Sequence, residues 1–217
     1  RDPAWTIRHD RVRTARAVAD LAGPDPSRAA LEALTSAQLA LSAIDRLEVR
    51  GRDSAGLHLL VRGHGLELTD PTVRHRIAGR AADPLFGSGS VRVLDDTVAF
   101  VYKAAAEIGD LGDNTRRLRA AIRDDDLLHD ALGVDTAEVL VLGHTRWASV
   151  GIISEPNAHP LTGEEERVDG PYVAAALNGD VDNYTDLTVI DDLDLPAEIT
   201  TDAKVIPTLV TLSLIHI

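Results

Sequence analysis

Two apolar runs of strand length end directly in polar residues, and this arrangement constrains the fold more than any other feature of the sequence. Residues 139–143 lead into His-Thr-Arg-Trp at 144–147, and residues 172–177 lead into Asn178 and Gly179. An unbroken apolar run bounded by polar residues predicts a buried strand. Polar side chains held at the ends of rigid strands are the usual setting of a binding site.

The rest of the chain alternates between predicted helices and predicted strands. Apolar residues at helical spacing predict helices over residues 4–22, 27–49, 114–123 and 202–212. Apolar runs predict further strands over residues 55–61, 91–94 and 98–102. Ser27 is the predicted N-cap of the second helix, and Asp95-Asp96 is the predicted turn between the last two strands. Because the order is not strictly βαβ, the sequence predicts a sheet-rich α+β domain.

The charge balance argues against two classes of partner. The 217 residues include 22 basic and 35 acidic side chains, which gives a net charge of −13. Nucleic acids and anionic membranes select a basic face, so we expect neither of them as the main partner. No apolar run reaches the length of a membrane span, and we expect a cytoplasmic protein.

The chain contains no cysteine. This excludes disulfides, thiolate metal sites and a cysteine nucleophile within these residues. The spacings of His58, His64, His144 and His159 match no metal motif. We therefore expect no metal site and no other cofactor.

Polar residues at the predicted strand ends, together with Asp202 at the start of a predicted helix, have the chemistry to bind an amino acid with a side-chain amide, although composition alone does not bring them into one pocket. Arg146 can hold a carboxylate through two parallel hydrogen bonds, and Asp202 can pair with an ammonium group. The Asn178 amide beside the Gly179 N–H makes a two-donor oxyanion hole. The same residues are also compatible with more ordinary roles. Arg146 could form a surface ion pair, Asn178-Gly179 a turn, and Asp202 a helix-terminal charge.

Four segments, in order, resemble the glutaminase domain of glucosamine-6-phosphate synthase, a class II glutamine amidotransferase. Residues 47–56 (LEVRGRDSAG) resemble the family's LEYRGYDSAG segment. Residues 143–151 and 157–160 resemble GHTRWATHG and NAHP. Residues 177–184 (LNGDVDNY) resemble HNGIIENY, and residues 201–206 resemble TDTEVI. The resemblance covers about residues 40–210.

The resemblance implies a fold and a domain organisation. The family fold is a four-layer αββα sandwich of the N-terminal-nucleophile hydrolase type, here with an added N-terminal helical segment. Residues 1–40 are interpreted as a helical insertion or flank, and residues 41–211 as a type 2 glutamine amidotransferase domain without its nucleophile strand. Residues 212–217, which resemble a translated sequencing adaptor, are set apart from this domain, and two alternatives stay open for them: a native segment or a non-native tail.

The resemblance also implies an activity. The family's nucleophile is an N-terminal cysteine whose own α-amino group serves as the base, and it forms a thioester from glutamine and releases ammonia. The implied partners are glutamine and a sugar phosphate, fructose-6-phosphate, bound at a C-terminal isomerase domain beyond these residues. A homodimer is left open.

Each candidate site residue takes its role from the resemblance. Arg146 would bind the glutamine α-carboxylate with help from Ser149, and Asp202 would hold the α-ammonium group. Asn178 and Gly179 would form the oxyanion hole. Trp147 would line the pocket, with a simple core position as its alternative, and Arg50 would lie near the nucleophile.

Two departures from the family pattern matter. Residues 29–46 form a predicted helix without cysteine where the family carries its nucleophile strand, and Val150 replaces a histidine. We interpret the chain as a fragment and expect it to be inactive by itself. Two alternatives stay open: a non-catalytic glutamine-binding regulatory module, and an amidotransferase that serves a different acceptor.

Overall fold

A four-stranded antiparallel sheet forms the centre of the fold in the computed structural model, which describes residues 2–106, 110–163 and 171–215. Its strands are β1 (Ser54–Arg62), β2 (Val91–Leu94), β3 (Thr97–Ala105) and β4 (Glu138–Arg146), in the order β2-β3-β1-β4. In this register Gly56 of β1 lies between Lys103 of β3 and His144 of β4. A second pair consists of β5 (Leu161–Thr162) and β6 (Ala174–Ala175).

The helices account for most of the remaining regular structure. They are α1 (Pro3–Thr6), α2 (Val12–Ala22), α3 (Arg28–Leu47), α4 (Pro71–Ala81), α5 (Asp113–Arg123), α6 (Asp126–Ala131), α7 (Tyr184–Ile190) and α8 (Val205–Ile215). A π-helical turn (Ile7–Arg11) joins α1 to α2, and 3-10 turns (Glu48–Arg50 and Asp202–Lys204) lie beside α3 and α8. The predicted mixed α+β class is confirmed, but the described residues are richer in helix than in sheet, contrary to the expectation of a sheet-rich domain.

The two faces of the large sheet differ in chemistry because neighbouring strand residues point to opposite sides. Leu57, Leu59 and Val61 of β1 are buried on the helical side, where α3 covers β4 and β1 and α5 covers β3 and β1. On the opposite side, β1 presents Ser54, Gly56 and His58. This polar side is the one that leads to the candidate site.

Local start and stop signals explain the N-terminal helices. Gly23 ends α2 with φ of +69°, a backbone conformation that favours glycine. The Ser27 side chain accepts the Ala30 N–H at 2.9 Å and caps α3, as predicted. The boundary expected between residues 40 and 41 falls inside α3, whose residues Ala37 and Leu41 both lie in the main core. The division into domains stays a prediction.

Two segments that were predicted to be buried strands differ from that prediction in burial or in length. The run over residues 139–143 is a strand, but β4 is the edge of the sheet and Leu140 is 68% exposed. An edge strand has a neighbour on one side, so apolar sequence does not guarantee burial. The run over residues 172–177 contains the two-residue strand β6, whose residues are half-buried. Its pairing with the equally short β5 limits its length.

A loop over residues 151–160, which precedes β5, covers the polar side of the sheet at Gly56. A Cβ atom at Gly56 would collide with the carbonyl oxygen of His159, so glycine is what permits this close approach. Nearby, His58 is fully buried, and the Tyr172 hydroxyl lies 3.3 Å from its Nδ1. Burial, helped by the positive charge of Lys103, lowers the pKa of His58 to about 3.

His58 makes stability depend on pH. Its ring stays neutral in the folded chain down to about pH 3, whereas in the unfolded chain it binds a proton below about pH 6.5. The unfolded state therefore binds more protons between these values, and the free energy of unfolding falls as the pH is lowered from 6.5 towards 3. We expect this group to contribute a slope of about 1 kcal/mol per pH unit.

Urea denaturation at pH 7, 6 and 5 measures this slope. The His58→Gln variant should lose stability less steeply than the wild type over this range. The exposed His75→Gln variant is the matched control and should keep the wild-type slope. Equal slopes for the wild type and His58→Gln would contradict the prediction.

Candidate functional site

A cavity of about 240 Å³ opens where β4 ends. Its volume lies below the range of about 300–1,000 Å³ typical of pockets for drug-sized ligands, which suits a ligand the size of one amino acid. All of the site residues predicted from the sequence line it, although they come from four separate segments. They are Arg50, Arg146, Trp147, Ser149, Asn178, Gly179 and Asp202.

Arg146, the last residue of β4, supplies the buried positive charge of the cavity. It is 5% exposed, and its guanidinium donates to the carbonyl oxygens of Val150 and, at 3.3 Å, Ile152. Burial lowers the pKa of Arg146, while the carboxylates of Asp202 and Asp53 act in the opposite direction. A guanidinium stays protonated at neutral pH, so a carboxylate is the natural ligand here.

Asp202 supplies the buried negative charge. It begins the 3-10 turn before α8 and is 4% exposed. Its Oδ2 accepts the Val181 N–H at 2.6 Å, and its Oδ1 lies 3.4 Å from the Thr201 hydroxyl. Within the described residues no ion pair joins Asp202 to Arg146, so both charges can serve a ligand. Opposite charges on two walls of one cavity suit a zwitterionic amino acid.

Asn178 and Gly179 form a third wall of the cavity. Gly179 has φ of +152°, which L side chains rarely adopt, so the backbone here requires glycine. The Asn178 side chain is exposed and makes no hydrogen bond within the described part of the chain. Its amide and the adjacent Gly179 N–H can therefore donate to an oxygen in the cavity.

Trp147, Ser149 and Arg50 are exposed at the rim. Trp147 is 72% exposed, which excludes the simple core position considered as its alternative. The Ser149 hydroxyl donates to the Asp180 carboxylate and so links the loop after β4 to the loop after β6. Arg50 ends the 3-10 turn that follows α3.

Sequence reasoning assigned no role to three further residues of the cavity. The rings of His144 and His159 lie 4.7 Å apart at an angle of 31°. Burial is the main cause that lowers the pKa of both histidines, that of His159 to about 3, so this pair is neutral at pH 7. Asp180 adds a carboxylate where the resembling family segment has isoleucine. Both histidines lie in segments that match the family's motifs, and this match was the signal that could have placed them in the site.

The described residues were also compared with the requirements of a metal site and of a membrane-spanning helix. The described residues contain no cluster of three or more histidine and acidic side chains able to hold a metal ion. Among the helices of the described ranges, none combines the length and the apolar character that a membrane crossing requires.

Comparison with known proteins finds weak similarity to one group of enzymes. A Shouchella clausii protein named glutamine–fructose-6-phosphate aminotransferase (isomerizing) is 27% identical over 169 residues, covering 78% of this chain and 19% of that protein. Proteins of the same name from Thermus thermophilus and Neisseria meningitidis are 46% identical over 48 residues and 36% identical over 66 residues. These matches cover 22% and 30% of this chain, and 7% and 10% of the relatives.

No protein-family model matches the chain. The chain spans about a fifth or less of the length of these curated relatives. The comparisons thus show similarity to glutamine–fructose-6-phosphate aminotransferases at low identity.

Proposed function

We propose that this chain is the glutamine-binding part of a class II glutamine amidotransferase. The observation that carries the proposal is the placement of Arg146, Asp202 and the Asn178-Gly179 pair on three walls of one small cavity. The names of the relatives, which include glutamine and fructose-6-phosphate, support the same substrate. The proposed fold is the four-layer sandwich expected from the resemblance.

Glutamine fits the charges of the cavity in one orientation. Its α-carboxylate pairs with the Arg146 guanidinium, assisted by the Ser149 hydroxyl, and its α-ammonium group pairs with the Asp202 carboxylate. This directs the side-chain amide towards Asn178 and Gly179, whose N–H groups receive the carbonyl oxygen. Trp147 and Arg50 then flank the ligand at the rim.

The residues of this chain bind and orient the substrate, and the attacking group lies outside them. The 217 residues contain no cysteine. In the resembling family a cysteine thiolate attacks the side-chain carbonyl, and negative charge develops on its oxygen. Asn178 and Gly179 are placed to stabilise that oxygen, which favours the transition state over the bound substrate. We extend the proposal to delivery of the ammonia to a sugar phosphate in a cytoplasmic protein.

A second candidate is a glutamine-binding module that regulates an attached domain without hydrolysing glutamine. The absence of cysteine from these residues favours it, since binding needs Arg146 and Asp202 but no nucleophile. Both candidates require glutamine to bind. The test that distinguishes the two candidates uses a form of the protein that carries the family's cysteine. The first candidate predicts that this form converts glutamine to glutamate, and the second predicts that it does not.

The first prediction concerns Arg146→Lys. Lysine keeps the charge but loses the planar pair of donors that matches a carboxylate. We expect the Kd for L-glutamine to rise by ten- to a hundredfold, in line with about 1.5–3 kcal/mol for a hydrogen bond to a charged group. Isothermal titration calorimetry on residues 1–217 measures it.

Arg62→Lys is the matched control, because Arg62 forms an exposed ion pair with Asp96 at 2.8 Å, away from the cavity. It should leave the Kd unchanged. A wild-type chain that does not bind glutamine would contradict the proposed function. An unchanged Kd for Arg146→Lys would remove only Arg146 from the site.

The second prediction separates binding from catalysis at Asn178. Because its amide meets the oxygen as charge develops, Asn178→Ala should leave the glutamine Kd within about twofold. In a form of the protein that carries the nucleophile, the same variant should lower kcat by about a hundredfold or more. Asn178→Asp, which places negative charge beside the developing oxyanion, should lower kcat further than Asn178→Ala does. A lower Tm with normal kcat would instead support a plain turn residue.

A further inference from the structure

Asn157 is a fully buried side chain whose amide uses its complete hydrogen-bonding capacity. Its Oδ1 accepts the backbone N–H groups of Thr200 at 2.8 Å and Thr201 at 2.9 Å. Its Nδ2 donates to the Glu198 carbonyl at 2.9 Å and to the Ser154 hydroxyl at 2.7 Å. An amide has two acceptor positions and two N–H donors, so every one is occupied.

These hydrogen bonds reach the segment that carries Asp202. The Thr201 N–H belongs to the residue immediately before Asp202, and Asn157 holds the backbone there from 44 residues away in sequence. The Val181 N–H then holds the Asp202 carboxylate itself at 2.6 Å. One contact fixes the main chain and the other fixes the side chain, so Asp202 has little freedom to move.

Asn157 also connects Asp202 to the sheet. The chain continues from Asn157 to His159, whose carbonyl oxygen packs on Gly56 of β1. Arg146 ends β4, which pairs with β1 in the same sheet. Asp202 and Arg146 are therefore both anchored to the same sheet, which fixes the distance between their charges. A zwitterionic ligand requires such a fixed distance, because its own two charges are a set distance apart.

We propose that Asn157 is a positioning residue that holds Asp202 at the distance from Arg146 required for an α-amino acid, and so sets the selectivity of the site for the α-ammonium group. This inference rests on the proposed glutamine site. Asn157 does not line the cavity. Asn157 also holds Thr200, whose hydroxyl accepts the N–H of Ile152, a neighbour of Arg146, at 2.9 Å. The double-mutant cycle described below therefore tests whether the effect of Asn157 passes through Asp202.

Asn157→Asp tests the amide with almost no change in size. The aspartate keeps the two acceptor contacts to Thr200 and Thr201 but presents an oxygen, in place of an N–H, to the Glu198 carbonyl. Two acceptors then face each other in a buried place, so the loop must shift. Asn157→Ala, which removes every hydrogen bond of the side chain and adds no charge, is measured in parallel.

The experiment compares two ligands on residues 1–217 by calorimetry. L-Glutamine carries the α-ammonium group, and glutaramate is the same molecule without it. The wild type should prefer glutamine by at least tenfold, and Asp202→Asn should abolish the preference. Both Asn157 variants should weaken glutamine by about tenfold and glutaramate by less than twofold, at a temperature below the melting of each variant.

A double-mutant cycle shows whether the effect passes through Asp202. In the Asp202→Asn background, Asn157→Ala should cost no further glutamine affinity. Gln38→Ala is the matched control, because Gln38 is also a buried amide, its Nε2 donates to the Ser42 hydroxyl at 3.0 Å on α3, and neither residue lines the cavity. This control should lower Tm and keep the ligand preference.

The outcomes separate the inference from the proposed function. A wild type that binds neither ligand, or both equally, contradicts the proposed site. If the wild type prefers glutamine and Asp202→Asn abolishes the preference, the proposed site stands. Equal weakening of both ligands by the Asn157 variants, or additive losses in the cycle, then overturns the positioning role.

Discussion

A permanent positive charge buried at the end of β4 governs the arrangement around the cavity. A guanidinium keeps its proton, so burying Arg146 requires acceptors and opposite charge close by. The chain meets this need by folding residues 147–152 back, so that the Val150 and Ile152 carbonyls accept from Arg146. Asp53 acts against the effect of burial on Arg146 and also accepts the Ala148 N–H at 2.8 Å. The same carboxylate thus balances the charge and shapes the loop.

The polar side of the sheet extends this arrangement. A side chain at residue 56 would push away the carbonyl of His159, and the segment tied by Asn157 would lose its contact with β1. The neutral pair of His144 and His159 fills the space beside Arg146 without adding charge. The cavity therefore keeps one buried cation and one buried anion as its dominant electrostatic features, which is the pattern that an amino acid zwitterion complements.

Local signals in the sequence predicted α2, α3, α5 and α8, whereas α7 (Tyr184–Ile190) was not predicted. Ser27 and Gly23 act on the residues beside them, and Asp95 has φ of +46° in the predicted hairpin turn. Strand environment was harder to predict, because whether β4 is an edge depends on strands far away in sequence. The grouping of the candidate residues followed from the resemblance to a family. No local pattern reveals that Asn157 bonds to residues 41 to 44 positions later.

The exposed edge of β4 has a consequence for how the chain behaves in solution. β4 pairs with β1 on one side and with no described strand on the other, and Leu140 adds an apolar side chain to that edge. Such an edge invites a strand from another molecule. At neutral pH the net charge of −13 makes copies of the chain repel one another. Near the isoelectric point of about 4.9 this repulsion vanishes, so we expect self-association of the chain to be strongest there.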